Sequence, residues 1–262
     1  MSEDFVHLKC EKQEKLLVVL LNRPEKSNAI NKRLLRELES AFEKGAGDED
    51  IRVVVLASEG KHFSVGADIE EIKDFVSVAD YEDFFVRIQA SFKKLESLRK
   101  PTIAAVNGLA LGAGCEMSLA ADLRIAGDDA SFGLPEIKLG AVPAAGGTQR
   151  LPRIVGEGKA LEMIYTGDFI SAAEAYRIGL VNKVVPYQKL REEALGFAHR
   201  LARRPPVALR TAKLLVKQGM NMELSAALEF EVKSASLLAA TEDQQEGFRA
   251  FLEKREPKFV GR

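Results

Sequence analysis

The chain has 262 residues, of which 46% are hydrophobic and 29% charged, the balance of an ordinary soluble globular protein. Its 38 basic and 39 acidic side chains nearly cancel, so a general attraction to nucleic acid or anionic membrane is not expected. Two cysteines and three histidines, without a CxxC or HExxH motif, argue against a disulfide framework and a metal site. The longest aliphatic run, 16–21, is too short for a membrane helix, and the polar N-terminus does not resemble a signal peptide. We therefore expect a cytoplasmic protein.

The predicted elements of the first half alternate strands with helices. Residues 5–10 and 16–21 predict a hairpin, with the charged residues between them as its turn. A helix is predicted from Asn31, ended by Gly45 and Gly47, because glycine favours helix ends. The further predicted segments are a strand over 53–58, helical stretches up to 75 and over 80–98, a strand over 102–106, a helix within 111–122 and a strand over 123–127.

This alternation predicts an α/β fold, since the connections are long enough for parallel strand pairing. Toward the C-terminus the pattern changes to three helical segments, about 187–203, 206–218 and 222–253. The sequence therefore predicts a core of strands and helices over residues 1–190 and a helical region over residues 191–262.

Three glycines after an apolar strand, Gly108, Gly112 and Gly114, invite comparison with a dinucleotide-binding loop. Their spacing excludes it, because the GxGxxG motif needs a glycine where Met117 stands. The phosphate-binding motif GxxxxGK[ST] is also missing, since Gly158–Lys159 is followed by alanine. Nicotinamide and P-loop nucleotide chemistry are therefore not expected.

Nucleophilic catalysis is not favoured either. Ser64 is the nearest candidate for a hydrolase nucleophile. However, His62 occupies the position of the first glycine in the GxSxG motif of such serine nucleophiles. Cys115 opens a predicted helix, which lowers a thiol pKa. No histidine is near it in sequence, and packing among small residues is its expected role.

Two glycine-rich loops are each followed by a carboxylate. Glu116 falls in the first turn of a predicted helix, and Glu136 lies on a predicted loop between Pro135 and Gly140. Taken alone, Glu116 is explained by compensation of the helix dipole and Glu136 by a solvated loop. Together they form the doublet that general acid/base chemistry needs, beside backbone that glycine leaves accessible to a ligand.

A third loop, VGAD at 65–68, precedes another helical stretch. Backbone N–H groups at Ala67 and at Gly112–Ala113 would be free donors at helix starts. Two donors aimed at one point make an oxyanion hole, which is a large electrostatic contribution in acyl chemistry. Two ordinary helix starts explain the same residues, and both interpretations stay open on these residues alone.

Taken together, these segments resemble the enoyl-CoA hydratase/isomerase (crotonase) family. They cover essentially the whole chain in the expected order, and LGAGCE followed by FGLPEI is a specific combination. The matching stretches are LNRPEKSNAIN (21–31), HFSVGADI (62–69), VNGLALGAGCEMSLAADLRIA (106–126), FGLPEIKLGAVPAAGGTQRL (132–151), TGDFISAAEA (166–175), GLVNKVV (179–185) and EGFRAFLEKR (246–255).

The resemblance implies a spiral of ββα units and a C-terminal helical region used in trimer assembly, giving a homotrimer or a homohexamer. It also implies that coenzyme A enters as part of the substrate and that no separate cofactor is used. The amides of Ala67 and Ala113 would bind the thioester oxygen, and Glu116 and Glu136 match the two acids of the hydratases. The residues that match CoA contacts are Lys26, Ser27, Ala29, Asp68, Ile69, Phe251 and Lys254.

The implied activity is that of a hydro-lyase, the reversible hydration of a 2-enoyl-CoA to a 3-hydroxyacyl-CoA, as in fatty acid β-oxidation. Glu116 would take the proton of the attacking water, and Glu136 would protonate the α-carbon. Isomerases of this fold usually keep only the acid matching Glu136, so the presence of both acids favours a hydratase. The alternative on the same site is a Δ3,Δ2-enoyl-CoA isomerase or a cyclic (di)enoyl-CoA hydratase, and substrate profiling separates these activities. Leu134, in place of a commonly polar residue, and Ala144, in place of a glycine, depart from the family pattern.

The acyl group and a possible RNA role are the least constrained features. Phe75, Tyr81, Phe84 and Phe85 would line the acyl pocket and favour short chains or compact rings, although helical aromatic residues also face cores. Some family members bind RNA, but acidic residues follow the basic stretch, and we expect a solvated or CoA-facing helix without nucleic acid. The basic residues concerned are Arg203, Arg204, Arg210, Lys213 and Lys217.

Overall fold

A computed structural model describes residues 5–262, so the start of the polar N-terminus lies outside the described residues. Within that range the chain forms nine strands and eleven α-helices. The strands are β1 (Leu8–Gln13), β2 (Leu16–Leu21), β3 (Val53–Ser58), β4 (Thr102–Val106), β5 (Leu109–Leu111), β6 (Leu123–Gly127), β7 (Ser131–Gly133), β8 (Ile170–Ser171) and β9 (Lys183–Val185). The helices are α1 (Lys32–Gly47), α2 (Ile69–Ile72), α3 (Val78–Ser97), α4 (Ala113–Ala120), α5 (Gly147–Val155), α6 (Glu157–Thr166), α7 (Ala172–Arg177), α8 (Leu190–Ala202), α9 (Pro206–Gly219), α10 (Leu224–Ser236) and α11 (Glu242–Leu252).

Two sheets organise the first two thirds of the chain. The larger has the order β1-β2-β3-β4-β6-β9, and the smaller has the order β5-β7-β8. Only the first pair of the larger sheet is antiparallel; its other neighbours are parallel. The chain passes from β4 to β5 and from β6 to β7 before each following helical segment, so strand–strand–helix units advance along both sheets. This arrangement corresponds to the predicted spiral.

The first hairpin is tighter than the sequence predicts. β1 continues to Gln13, and only Glu14 and Lys15 form the turn, with Glu14 at a φ of 51°. The predicted charged turn is wrong because β1 is an edge strand. Its outward positions tolerate charge, so the polar residues do not end the strand.

Helix α1 begins where predicted, because the Asn31 side chain accepts a hydrogen bond from the Leu34 amide. Gly45, however, lies inside this helix. A Cβ at Gly45 would lie 2.8 Å from the Leu17 Cδ2 atom on β2. This glycine therefore allows close packing of helix on sheet, and Gly47 alone marks the helix end.

The C-terminal helices divide into one that packs on the sheet and three that bury little. Helix α8 covers the larger sheet through Leu190, Ala194, Ala198 and Ala202. In contrast, α9 and α10 contain no buried residue within the chain. The single helix predicted over 222–253 is wrong, because Thr241 interrupts it and caps α11 by accepting from the Gln244 amide. The boundary at residue 190 stays a prediction.

The structure can also be searched for membrane helices, metal clusters and disulfides. No α-helix within residues 5–262 is long and apolar enough to cross a bilayer. In the same range, no cluster of three or more histidine, cysteine or acidic side chains is arranged to hold a metal ion. Cys10 is exposed and Cys115 is buried, and both are free thiols.

Candidate active site

Helix α4 starts directly against a loop that is distant in sequence. Gly112 precedes the helix with a φ of 51°, and its amide donates to the Gly133 carbonyl at 2.9 Å. A Cβ on Gly114 would overlap the Ser64 carbonyl oxygen and would lie 2.7 Å from the Ser64 Cβ. Only glycine at this position lets the helix start approach the loop that contains Ser64.

That loop carries the second predicted donor. Ala67 pairs with Ile30 in a short parallel bridge, and a Cβ on Gly66 would lie 3.4 Å from the Ala113 nitrogen. Within residues 5–262, the amides of Ala67 and Ala113 donate no hydrogen bond. Two free backbone donors therefore lie on adjoining loops, which is the arrangement an oxyanion hole requires.

Ser64 and His62 have other roles than nucleophile and base. The buried Ser64 hydroxyl donates to the Asn28 carbonyl at 2.8 Å and accepts from the Gly66 amide at 3.3 Å. The His62 Nδ1 accepts from the Leu109 amide at 3.1 Å, and burial lowers the pKa of this imidazole. Both side chains hold the loops of the site in place.

Glu116 is almost completely buried, with 1% of its surface exposed. Its Oε1 accepts from the amides of Ala145 at 2.9 Å and Gly147 at 2.7 Å. Burial raises the pKa of Glu116 to about 7; the two amides oppose this shift, and the charge of Glu136 adds to it. The buried Leu134 adds to this apolar surrounding, since a Cβ on Gly147 would lie 3.1 Å from its Cδ1 and 2.9 Å from the Glu116 Oε1.

Glu136 lies on a short 3-10 turn, Pro135–Leu139, where the sequence predicts a loop. Its Oε1 is 3.1 Å from the position of a Cβ on Gly112, so the carboxyl faces the start of α4. Its Oε2 is buried without a hydrogen-bond partner among the described residues, and burial raises the pKa of Glu136. The structure thus places the Glu136 carboxyl at the start of α4, which carries the Ala113 amide, and close enough to Glu116 for the two charges to interact.

Five predicted CoA contacts lie on two loops that are linked by ion pairs. The Arg23 guanidinium pairs with Asp68 at 2.5 Å, and the Lys26 ammonium pairs with Glu70 at 2.8 Å. The Asp68 carboxylate also caps α2, so it has a structural role already. The five residues are Lys26, Ser27, Ala29, Asp68 and Ile69.

The other two predicted contacts lie in the C-terminal region. Phe251 is on α11 with 82% of its surface exposed, and Lys254 follows that helix with a φ of 52°. Phe251 lines an apolar groove of about 540 Å³ whose walls include no residue of the glycine-rich loops. Other residues of this groove are Pro205, Ala208, Leu238, Phe248 and Phe259.

The aromatic residues divide between core and surface. Phe84 is fully buried in the core, whereas Tyr81 is 39% exposed. Phe75 packs edge-on against both, with ring centroids at 5.3 Å from Tyr81 and 5.6 Å from Phe84. Phe84 is therefore a packing residue, and the lining of an acyl pocket by the other three remains a prediction.

Two of the five residues of the predicted basic stretch, Lys213 and Lys217, form ion pairs within the chain. The Lys213 ammonium lies 2.7 Å from the Asp122 carboxylate, and the Lys217 ammonium lies 3.8 Å from that of Glu96. These lysines fasten α9 to the core. Arg203 and Arg204 are exposed, and the expected absence of nucleic acid binding stays a prediction.

The turn that holds Glu116 is not predicted from the sequence. The amides of Ala145 and Gly147 belong to the turn that leads into α5, whose first residue is Gly147, and Arg150 of that helix donates to the Ala145 carbonyl at 3.0 Å. The only signal in the sequence was the glycine pair Gly146–Gly147. A glycine pair does not identify the carboxylate that its backbone will meet.

Comparison with known proteins identifies the family. The family model described as enoyl-CoA hydratase/isomerase matches residues 11–262. The chain belongs to the enoyl-CoA hydratase/isomerase family. It is 43% identical over 253 residues to the crotonyl-CoA hydratase of Syntrophomonas wolfei, covering 96% of this chain and 97% of that protein. It is 44% identical over 251 residues to the 2,3-dehydroadipyl-CoA hydratase of Escherichia coli, covering 96% and 97% of the two chains.

Solved structures of the family agree with the fold. An enoyl-CoA hydratase from Bacillus anthracis superposes with a TM-score of 0.95 at 38% identity, covering 98% of this chain and all of that one. An enoyl-CoA hydratase subunit from Geobacillus kaustophilus gives a TM-score of 0.94 at 41% identity, covering 99% and 100%. The predicted family and the crotonase-like fold are confirmed.

Proposed function

We propose that this protein is a hydro-lyase that reversibly hydrates a 2-enoyl-CoA to a 3-hydroxyacyl-CoA. One observation carries the proposal: two carboxyls of raised pKa, the buried Glu116 and the half-buried Glu136, lie on segments that meet at the start of α4, near the free amides of Ala67 and Ala113. The relatives named above are hydratases of crotonyl-CoA and 2,3-dehydroadipyl-CoA, which supports this reaction class.

The two amides would stabilise the charge that develops on the thioester oxygen. Donation by Ala67 and Ala113 polarises the carbonyl, so the β-carbon of a conjugated enoyl thioester becomes electrophilic. After water adds, negative charge collects on the same oxygen as an enolate. A donor of this kind typically contributes a factor of about 100 to 1,000 in rate.

The two carboxyls would manage the protons of the water. We assign Glu116 as the base, because two backbone amides stabilise its ionised form. We assign Glu136 as the acid that protonates the α-carbon, because its buried Oε2 has no hydrogen-bond donor within the described residues to stabilise a charge. Two neighbouring carboxyls resist double ionisation, so one stays protonated while the other is charged.

The CoA portion of the substrate would lie along the loops that carry Lys26, Ser27, Ala29, Asp68 and Ile69. The Lys26 ammonium is exposed, and its partner Glu70 is exposed as well, so the pair can open toward a phosphate at small cost. Phe251 and Lys254 would reach a CoA molecule near a subunit boundary. No cofactor beyond the CoA of the substrate, and no metal ion, is part of this proposal.

The C-terminal helices would assemble the protein as a homotrimer or a dimer of trimers. Their exposed apolar side chains support association, because such a surface is unfavourable in water. These side chains include Val216, Met220, Leu224, Leu228, Val232 and Phe248. A cytoplasmic location remains part of the proposal, and light scattering of the purified protein tests its oligomeric state.

Short acyl chains are the proposed substrates, since Phe75, Tyr81 and Phe85 are bulky. Tyr81 and Phe85 have ring centroids 6.1 Å apart, so the three rings form one patch. A kcat/KM that rose steadily from four-carbon to sixteen-carbon enoyl-CoAs would contradict this.

The direct test follows the loss of enoyl thioester absorbance with crotonyl-CoA in wild type, Glu116→Gln and Glu136→Gln. We expect rapid loss in wild type and a reduction of about 100- to 10,000-fold in both variants. Binding of butyryl-CoA should persist in all three proteins. Glu157→Gln, at an exposed glutamate, serves as the matched control and should equal wild type.

The same proteins separate hydration from isomerisation. An isomerase needs only the acid at Glu136, so it would convert a 3-enoyl-CoA to the 2-enoyl isomer and retain that activity in Glu116→Gln. No reaction of wild type with crotonyl-CoA would reject the proposed hydration and redirect the search to isomerase or cyclic (di)enoyl-CoA substrates.

A further inference from the structure

The turn that leads into α5, residues 145–147, is the structural support of Glu116. The amides of Ala145 and Gly147 both donate to the Glu116 Oε1, at 2.9 and 2.7 Å. Two donors from one turn can point at one oxygen only if the peptide between them keeps its orientation. The group that fixes this turn therefore decides how well the carboxylate of Glu116 is stabilised.

Arg150 is in direct contact with that turn. Its Nη1 donates to the Ala145 carbonyl at 3.0 Å. Gly146 has a φ of 110°, and a Cβ there would overlap the Arg150 Nη1 and lie 3.0 Å from the Cζ. The Nη1 end of the guanidinium thus contacts the backbone at Gly146, between the two donating amides.

Glu96 of α3 holds the guanidinium in this orientation. The Arg150 Nε and Nη2 donate to the two Glu96 carboxylate oxygens at 3.3 and 2.9 Å, a forked pair. Burial opposes the ionisation of Glu96, but the hydrogen bond from Arg150 and the charges of Lys217 and Lys213 outweigh it and keep the pKa of Glu96 below its usual range. Arg150 therefore bridges a charged anchor on α3 and the turn that contacts Glu116.

We propose that Arg150 is a positioning residue that fixes the 145–147 turn so that its amides keep Glu116 available as a base. This proposal rests on the proposed function of Glu116. Arg150 acts through the turn and by its charge, and it is not assigned a contact with substrate.

The other charges around Glu116 define the expected direction. Glu136, from the 3-10 turn, raises the pKa of Glu116, and Arg150, from α5, lowers it. Cys115, the neighbour on α4, has a strongly raised pKa from burial and stays neutral. Removing Arg150 removes a positive charge and loosens two amide donors, and both changes raise the pKa of Glu116. A base that must be ionised then loses activity first at low pH.

The experiment measures kcat/KM for crotonyl-CoA from pH 5.5 to 9 in wild type, Arg150→Met and Arg150→Lys. The matched control is Arg153→Met, at an exposed arginine of the same helix. In Arg150→Met we expect the acid limb of the plot of kcat/KM against pH to shift to higher pH by about one unit. This is the low end of the pKa shift that a nearby opposite charge causes. Its activity relative to wild type should then recover as the pH rises. Ionisation of the substrate is common to all four proteins and cancels in the comparison.

Arg150→Lys tests whether the fork matters beyond the charge, and it also serves if Arg150→Met fails to fold. One ammonium cannot bridge the Glu96 carboxylate and the Ala145 carbonyl as the planar fork does. If both variants fold, the proposal predicts that the acid limb of the Arg150→Lys profile lies at a pH between those of wild type and Arg150→Met. If only Arg150→Lys folds, the proposal predicts that its acid limb lies at a higher pH than that of wild type. A loss of activity by the same factor at every pH, or a lysine variant with the wild-type profile, overturns it. Inactivity of wild type itself would instead reject the proposed hydration.

Discussion

Gly114→Ala is the smallest change that should separate the two donor loops. In the structure a Cβ at this position would overlap the Ser64 carbonyl oxygen and lie 2.8 Å from the Ser64 carbonyl carbon. Ser64 cannot retreat easily, because its amide donates to the Leu109 carbonyl at 3.0 Å and its carbonyl accepts from the Leu111 amide at 2.9 Å. The methyl group must therefore push the start of α4 away from the loop.

Gly114→Ala should lower both the unfolding free energy and kcat. Adding a methyl group to a packed contact costs about 1 to 3 kcal/mol of unfolding free energy. Displacing the start of α4 moves the Ala113 amide relative to the Ala67 amide. If one donor no longer reaches the thioester oxygen, kcat falls by about 100- to 1,000-fold.

The assay is hydration of crotonyl-CoA together with urea unfolding at one protein concentration. Gly158→Ala is the matched control, since a Cβ at Gly158 has no atom within 4 Å and the residue lies inside α6. We expect that control to keep wild-type kcat and to gain up to about 1 kcal/mol, because alanine favours helix over glycine. A Gly114→Ala protein with kcat within threefold of wild type would refute the argument that this contact sets the donor geometry.

Two further predictions concern buried charge. Arg124→Met should lose about 2 to 3 kcal/mol of unfolding free energy in urea, because the buried guanidinium donates to the carbonyls of Ser118, Ala121 and Leu180. Of these three carbonyls, that of Ser118 also accepts from the Ala121 amide, and those of Ala121 and Leu180 would be left without a donor among the described residues. Glu116→Gln should become more stable relative to wild type as the pH rises from 4.5 to 8, by about 3 kcal/mol. The sign of this change follows from the pKa of Glu116, which is about 7 in the folded protein against 4.5 for a free glutamate. As the pH rises through this range, the carboxyl ionises more readily in the unfolded chain, where water solvates it, so wild type loses stability and the glutamine variant does not.

Each of these two predictions has its own control. Arg191→Met removes a guanidinium from an exposed pair with Glu11 and should cost less than about 1 kcal/mol of unfolding free energy. If Arg124→Met lost no more unfolding free energy than this control, the prediction for Arg124 would be wrong. Glu157→Gln, at an exposed position, should show no pH-dependent gain. A stability difference between wild type and Glu116→Gln that stays constant from pH 4.5 to 8 would contradict the second.

Much of the fold follows from local patterns in the sequence. The β-branched runs at Val53–Ser58 and Thr102–Val106 and the Asn31 cap of α1 lie where they are predicted. The errors have local causes too: charged residues continue β1 because it is an edge strand, and Thr241 divides the last predicted helix. Both depend on which neighbours cover a segment, and a single sequence does not give this.

The residues of the candidate site divide in the same way. Glu116 in the first turn after a glycine loop, Glu136 beside its proline, and the amides of Ala67 and Ala113 could be proposed from residue types and spacing together with the family resemblance. Sequence could not supply the turn at Ala145–Gly147 or its support by Arg150, because these contacts join segments about 30 and 50 residues apart. The sequence by itself determined which ionisable groups are candidates for proton transfer. Only the tertiary structure decided their ionisation, because burial, neighbouring charge and the orientation of backbone amides exist only once the segments pack together.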